Sequence, residues 1–218
     1  MVHKIYLWII IVALQAAVFN CFAQESELWL RNGKKLTINS YVLDNSDYYD
    51  GKITYKTING KEKSKYLEDV FSVVEKNGKE TVFYTQNVEF GEILTPEQMK
   101  QYVIGIGDAR STLISPLIGI GGVFSGLLGA FIPQPQIKMG DNTLPLPVGV
   151  FVPATYITVM GATAPNADKL QQKFPEKADN EHYLMGYQEG IKKKRIKNSL
   201  IGSAFGFIVG VFIVVSVN

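Results

Sequence analysis

"IGSAFGFIVG", residues 201–210, sets Gly202, Gly206 and Gly210 four residues apart in an apolar run without a charge. A glycine inside a helix costs roughly 1 kcal/mol relative to alanine, so three of them call for a compensating contact. Residues four apart share a helix face. In lipid, apolar side chains gain little by leaving the surrounding tails, and small-xxx-small spacing lets two backbones touch instead. The stretch therefore reads as the packing face of a transmembrane helix.

Working outward, three uncharged runs occupy the second half of the chain. Thr112–Ile132, "TLISPLIGIGGVFSGLLGAFI", has 21 residues. At about 1.5 Å per residue that suffices for a hydrocarbon core about 30 Å thick. Gly119, Gly122, Gly126 and Gly129 alternate spacings of three and four, which places them on one side of this helix. The second run, Leu144–Pro165, carries Pro147 and Pro153 and reads as a span or as a re-entrant or interfacial segment. The third, Asn198–Asn218, has an apolar core from Leu200 to Val217.

Just before the third run stands "KKKRIK", with Lys192, Lys193, Lys194, Arg195 and Lys197. Beside a span, such a run is a topology signal and a contact for the lipid surface rather than a nucleic-acid site. Cationic flanks tend to stay in the cytoplasm, which favours two spans with the C-terminus outside. If all three runs cross, the basic run is exported and the C-terminus is cytoplasmic.

The first residues, "MVHKIYLWIIIVALQAAVFNCFAQ", read as a secretory signal peptide over 1–23, cut after Ala23, with lipidation of Cys21 as the rival. Cleavage leaves no cysteine and one histidine, His182, so a His/Cys zinc site within one chain is excluded and no metal or cofactor is expected. No "GxSxG" accompanies His182, and "GIGDARS" and "GIGG" lack the Lys-Ser/Thr of a phosphate loop. The chain is read as non-enzymatic, with a hydrolase using His182 as a remote alternative.

Residues 24–94 are polar and punctuated by Asn32-Gly33, Asn59-Gly60 and Asn77-Gly78, the pair preferred in type I′ hairpin turns. The flanks are short and rich in β-branched and aromatic residues, which predicts about five strands. In one of them Leu36, Ile38 and Val42 alternate with polar residues as a half-buried strand requires. "TPEQ" at 95–98 then offers an N-cap, a proline at the first helical position and a capping-box glutamine. Asp108 and Arg110 fall at the edge of the first apolar run.

The organisation so predicted is a signal peptide (1–23), an exported β domain (24–94), a helix leading into the first span (95–132), a loop and Pro-rich segment (133–165), a polar, basic helix (166–199) and a C-terminal transmembrane helix (200–218). The fold class is an α+β membrane protein: a small antiparallel β-barrel or roll followed by glycine-rich transmembrane helices. In "HYLMGYQEGIKKKR", Tyr183 and Tyr187 share a helix face with Ile191, to pack the helix or dock a partner.

The strand and turn order of 24–94 resembles SH3-like and Sm-like barrels. Gly202-xxx-Gly206-xxx-Gly210, with the less regular glycines of the first run, resembles the glycine-zipper envelope proteins of bacteria. The whole resembles uncharacterised bacterial envelope proteins that join a β domain, glycine-rich runs and a "HYLMGYQEGIKKKR"-like element. Helical rather than barrel-like spans predict the inner membrane, the signal peptide predicts a β domain in the periplasm, and the glycine faces predict an assembly or anchoring component. Its partners would be membrane lipid and itself or another envelope membrane protein, not nucleic acid. The glycine faces then meet within one chain as a hairpin or between copies. The alternative is a sensor or adaptor whose β domain binds a peptide or glycan.

Overall fold

The computed structural model describes residues 25–44, 48–133, 135–139, 142–145, 148–163, 170, 173–177 and 179–217; the expected signal peptide lies outside the described residues. The chain divides into two units, Met1–Val103 and Ile104–Asn218.

In the first unit, β1 (Ser26–Leu30), β2 (Lys35–Leu43), β3 (Lys52–Thr57), β4 (Glu62–Tyr66), β5 (Val70–Val74) and β6 (Glu80–Val82) form one antiparallel sheet in the order β4-β3-β2-β1-β5-β6. Each Asn-Gly pair closes a hairpin, but not as a type I′ turn. Gly33, Gly60 and Gly78 have φ of 75°, 73° and 83°, and among the described residues no other residue type has a positive φ. The Gly33 N–H donates to the Leu30 carbonyl and the Leu30 N–H to that of Lys34, each at 2.9 Å, and the same pair of bonds recurs around Gly60 and Gly78. These are three-residue loops, a type I turn closed by a left-handed glycine. The Asn32 and Asn77 side chains reinforce two of them by accepting the N–H of Lys34 and Lys79 at 3.1 and 2.8 Å.

Two irregularities decide which side chains face inward. Along β2, Ile38 pairs with Thr57 but Ser40 with Lys56, so Asn39 is an extra residue. A strand that gains one residue exchanges its faces. Ile38 is accordingly buried and Leu36 half-buried, whereas beyond the bulge Tyr41 turns inward and Val42 is 64% exposed, contrary to the simple alternation. Along β5, Trp29 pairs with Ser72 and Leu30 with Val70, which leaves Phe71 extra. Val70 and Val73 join Leu28, Leu30, Ile38 and Ile53 in one core, and Phe71 joins Tyr48, Tyr84, Met99 and Val103 in another.

Arg31 ties the second core to the loops. Its guanidinium makes paired 2.7 Å bonds to Glu92, donates to the Tyr48 hydroxyl at 3.1 Å and lies 5.4 Å from the Tyr84 ring centre. Burial pushes the Tyr48 phenol up to about 12, with the Arg31 charge pulling the other way. The expected capping box forms: the Thr95 N–H donates to Gln98 Oε1 at 2.8 Å and the Gln98 N–H to Thr95 Oγ1 at 3.3 Å, opening α1 (Pro96–Ser111).

The second unit takes the end of α1, then α2 (Leu117–Phe131), a hairpin of β7 (Gln136–Met139) and β8 (Asn142–Pro145), α3 (Phe151–Ala162) and α4 (Glu181–Val217). The 21-residue run is thus not one helix. Proline disfavours helical backbone in the residue before it, and the chain is non-helical through 112–116 around Pro116. At about 1.5 Å per residue, the 15 residues of α2 extend about 22 Å. The Pro-rich run is divided in the same way into strand, 3-10 turn and the 12 residues of α3, with Pro153 in the first turn where its missing N–H breaks no bond.

The basic segment and the last apolar run, expected as separate elements, form a single 37-residue helix about 56 Å long. It begins where Asn180 Oδ1 accepts the Tyr183 N–H at 3.0 Å. Among the described residues α4 alone is long and apolar enough to cross a membrane; Leu117–Phe131 and Val148–Ala162 are apolar but shorter.

Candidate functional site

The glycines of the two apolar runs meet within one chain. A Cβ built on Gly122 would lie 3.0 Å from the Ser203 nitrogen and 3.2 Å from the Gly202 Cα; one on Gly126 would lie 2.6 Å from the Phe207 nitrogen. Reciprocally, one on Gly202 would crowd the Gly119 carbonyl, one on Gly206 would lie 2.8 Å from the Val123 Cα, and one on Gly210 would lie 2.5 Å from the Ala130 Cβ. No side chain fits in these gaps. The hydroxyls of Ser125 and Ser203, both buried, bond across the same contact at 3.0 Å.

The order of these contacts fixes a direction. Position 119 faces 202, 123 faces 206 and 130 faces 210, so α2 and α4 run parallel rather than as a hairpin of adjacent turns. α3 makes the return. Gly129 abuts Gly149 and Pro153 at its start, Gly121 meets the Tyr156 ring, and Gly161 at its end lies against Ile196. The Tyr156 hydroxyl also donates to the Ile118 carbonyl at 2.8 Å. The three predicted packing glycines of α4 therefore form one face, whereas the four of α2 do not. Gly122, Gly126, Gly202, Gly206 and Gly210 serve the α2–α4 contact, Gly129 serves α3, and Gly119 offers only its carbonyl, since a Cβ there would meet nothing within 4 Å.

Stepping back in fours along α4 from Gly202 gives 198, 194, 190 and 186, and this continuation escaped the sequence reading. A Cβ on Gly190 would lie 2.5 Å from that of Ala109, and one on Gly105 would lie 2.8 Å from the Tyr187 nitrogen. Small residues thus bring the end of α1 onto the start of α4 as they bring α2 onto its later turns.

Lys194, on the same row, donates to the carbonyls of Arg110 at 2.8 Å and Thr112 at 2.6 Å, and Arg195 donates to that of Thr163. Carbonyls at helix ends lack intrahelical partners and carry partial negative charge, so these cations cap α1 and α3. Lys193 pairs with Glu189 at 3.3 Å, and Lys192, Lys193 and Lys197 are exposed.

Tyr183 and Tyr187 are buried, with Ile191, Ala109 and Leu170, so their common face packs the helix. Their rings stack 6.3 Å apart, and Phe174 meets both edge-on. The Tyr183 hydroxyl donates to Asp108 at 3.0 Å, and Lys177 reaches the same carboxylate oxygen at 2.9 Å. Burial first, then the bond to the Asp108 carboxylate, raises the Tyr183 phenol above its ordinary value. Asp108 is therefore an internal anchor. His182 begins the same helix; its Nδ1 is buried and, among the described residues, has no hydrogen-bond partner.

No family model, curated protein or solved structure matches the chain.

The contacts predict opposite outcomes for two equal substitutions. Gly206→Ala forces a methyl into the Val123 backbone and is expected to destabilise the protein by about 1–3 kcal/mol. Gly119→Ala fills open space and gains helix propensity, so its thermal midpoint in mild detergent should be unchanged or raised. Equal behaviour of the two variants would contradict this assignment.

Proposed function

We propose that the chain is a non-enzymatic membrane protein of the bacterial cell envelope, an anchoring or assembly component that holds its β unit on the periplasmic side of the inner membrane. One observation carries the reading. A single helix, α4, begins among the buried tyrosines, supplies caps for α1 and α3, and ends in an apolar segment long enough to cross a bilayer. The polar side chains drawn together along it hold other parts of the same chain, as a scaffold requires. The apolar faces of α2 and α4, including Phe124, Leu128, Phe205 and Phe212, stay exposed and suit lipid or a second membrane protein.

The parallel α2–α4 pair, with α3 returning between them, supports the topology in which all three apolar runs enter the membrane. No apolar run intervenes between residue 24 and Arg110, whose carbonyl Lys194 binds, so the basic run belongs on the side of the β unit. Its departure from the positive-inside tendency has a physical reason: Lys194 and Arg195 are held at helix ends by carbonyls of the same unit. An SH3-like or Sm-like form of the β unit belongs to the same reading, supported by the order β5-β1-β2-β3-β4 and the bulge that bends β2. A reporter fused after Asn218 should be active in the cytoplasm while one inserted in the β unit is active in the periplasm. Both reporters on the same side would overturn the topology, and a chain extracted from membranes by alkaline carbonate would overturn the membrane role itself.

A sensor or adaptor role for the β unit is favoured by a cleft of about 310 Å³ whose lining includes Asn39, Ser40, Tyr41 and Asn77, amide and hydroxyl groups beside an aromatic ring. That chemistry suits a glycan. The full chain should then bind soluble peptidoglycan fragments and lose them on Tyr41→Ala; absence of binding to such fragments would dismiss this role.

A further inference from the structure

The second unit carries a cleft of about 580 Å³ whose lining includes Thr112, Ile114, Ile118, Lys173, Tyr187 and Arg195. Its chemistry is divided. Its aliphatic lining is Leu113, which is 94% exposed, with Ile114, Ile118, Leu170 and Ile191. The lining also carries two cations, Lys173 and Arg195, and among the described residues no carboxylate lines the cleft. Lys173 donates to the neutral Thr112 hydroxyl at 3.1 Å, which leaves its charge uncompensated by that bond, whereas nearby Lys177 is matched by Asp108. On α4 the cleft is lined by Tyr187, Ile191 and Arg195, the last lying within the basic run and about 7.5 Å along the helix before Leu200, where the apolar segment begins.

We propose that this cleft binds one anionic phospholipid, its phosphate between Lys173 and Arg195 and its acyl chain along Ile114 and Ile118. The proposal rests on the membrane reading above, which brings the cleft to headgroup depth. Charge complementarity selects an anionic headgroup, and the exposed aliphatic wall, useless to inorganic phosphate, selects a lipid. The volume lies in the range of ligand pockets, roughly 300–1,000 Å³.

The test is native mass spectrometry of the full chain in uncharged detergent, titrated with phosphatidylglycerol or phosphatidylcholine. One phosphatidylglycerol should be retained in preference, and Lys173→Gln should weaken its retention about fivefold, with Lys173→Arg restoring it. Lys192→Gln, outside the cleft, should leave retention unchanged. Arg195→Gln should weaken it too, but Arg195 also caps α3, so the Lys173 variants decide the outcome. Equal retention of both lipids, an equal loss in Lys192→Gln, or displacement by inorganic phosphate at the concentration of the lipid would each overturn the proposal. A chain that stays in carbonate-washed membranes yet fails this test refutes the lipid site alone; a chain extracted by carbonate refutes the membrane reading itself.

Discussion

The second unit depends on contact between backbones where no side chain intervenes. Gly122, Gly126, Gly202 and Gly206 remove the atoms that would keep α2 and α4 apart, and the carbonyls and nitrogens of one helix lie against the other. Such closeness gains dispersion energy over many small contacts and lets Ser125 and Ser203 bond in the gap. The helical cost of the glycines is offset only while the two helices remain in register.

The same row of α4 continues beyond the apolar segment with different chemistry. Gly190 admits the end of α1, and Lys194 then closes that helix end by binding the carbonyls of Arg110 and Thr112. The long helix is therefore a spine: successive helices are laid along it, with small residues where backbones touch and a cation where a helix ends. Asp108, Tyr183 and Lys177 complete this arrangement near its start. The β unit has its own cores and its own knot at Arg31.

Much of this was legible in the residues, because local chemistry carries it. The three Asn-Gly hairpins, the Thr95–Gln98 capping box and the packing role of Gly202 and Gly206 each follow from a short pattern with a local cause. Other features depend on partners that no local pattern names. Val42 faces outward because Asn39 bulges, and alternation read from sequence assumes an unbroken register. The Asn-Gly pair marks the place of each turn but not the third residue with which each loop closes. Small-residue spacing carries no direction, so a parallel pair and a hairpin look alike until the return through α3 is seen. The basic run signals topology by composition, but its geometry assigns Lys194 and Arg195 to helix ends. Tyr183 and Tyr187 lie on a common face as expected, and only the packing of α1 and Phe174 shows that face to be interior.

The most direct test of the central claim is a cysteine pair at Ser125 and Ser203, whose hydroxyls lie 3.0 Å apart, in a chain with Cys21 replaced by serine. Under mild oxidation in native membranes, an internal disulfide should form within a monomer, seen as faster migration reversed by reductant. Covalent dimers, or no cross-link between these positions, would contradict parallel packing of α2 on α4 within one chain.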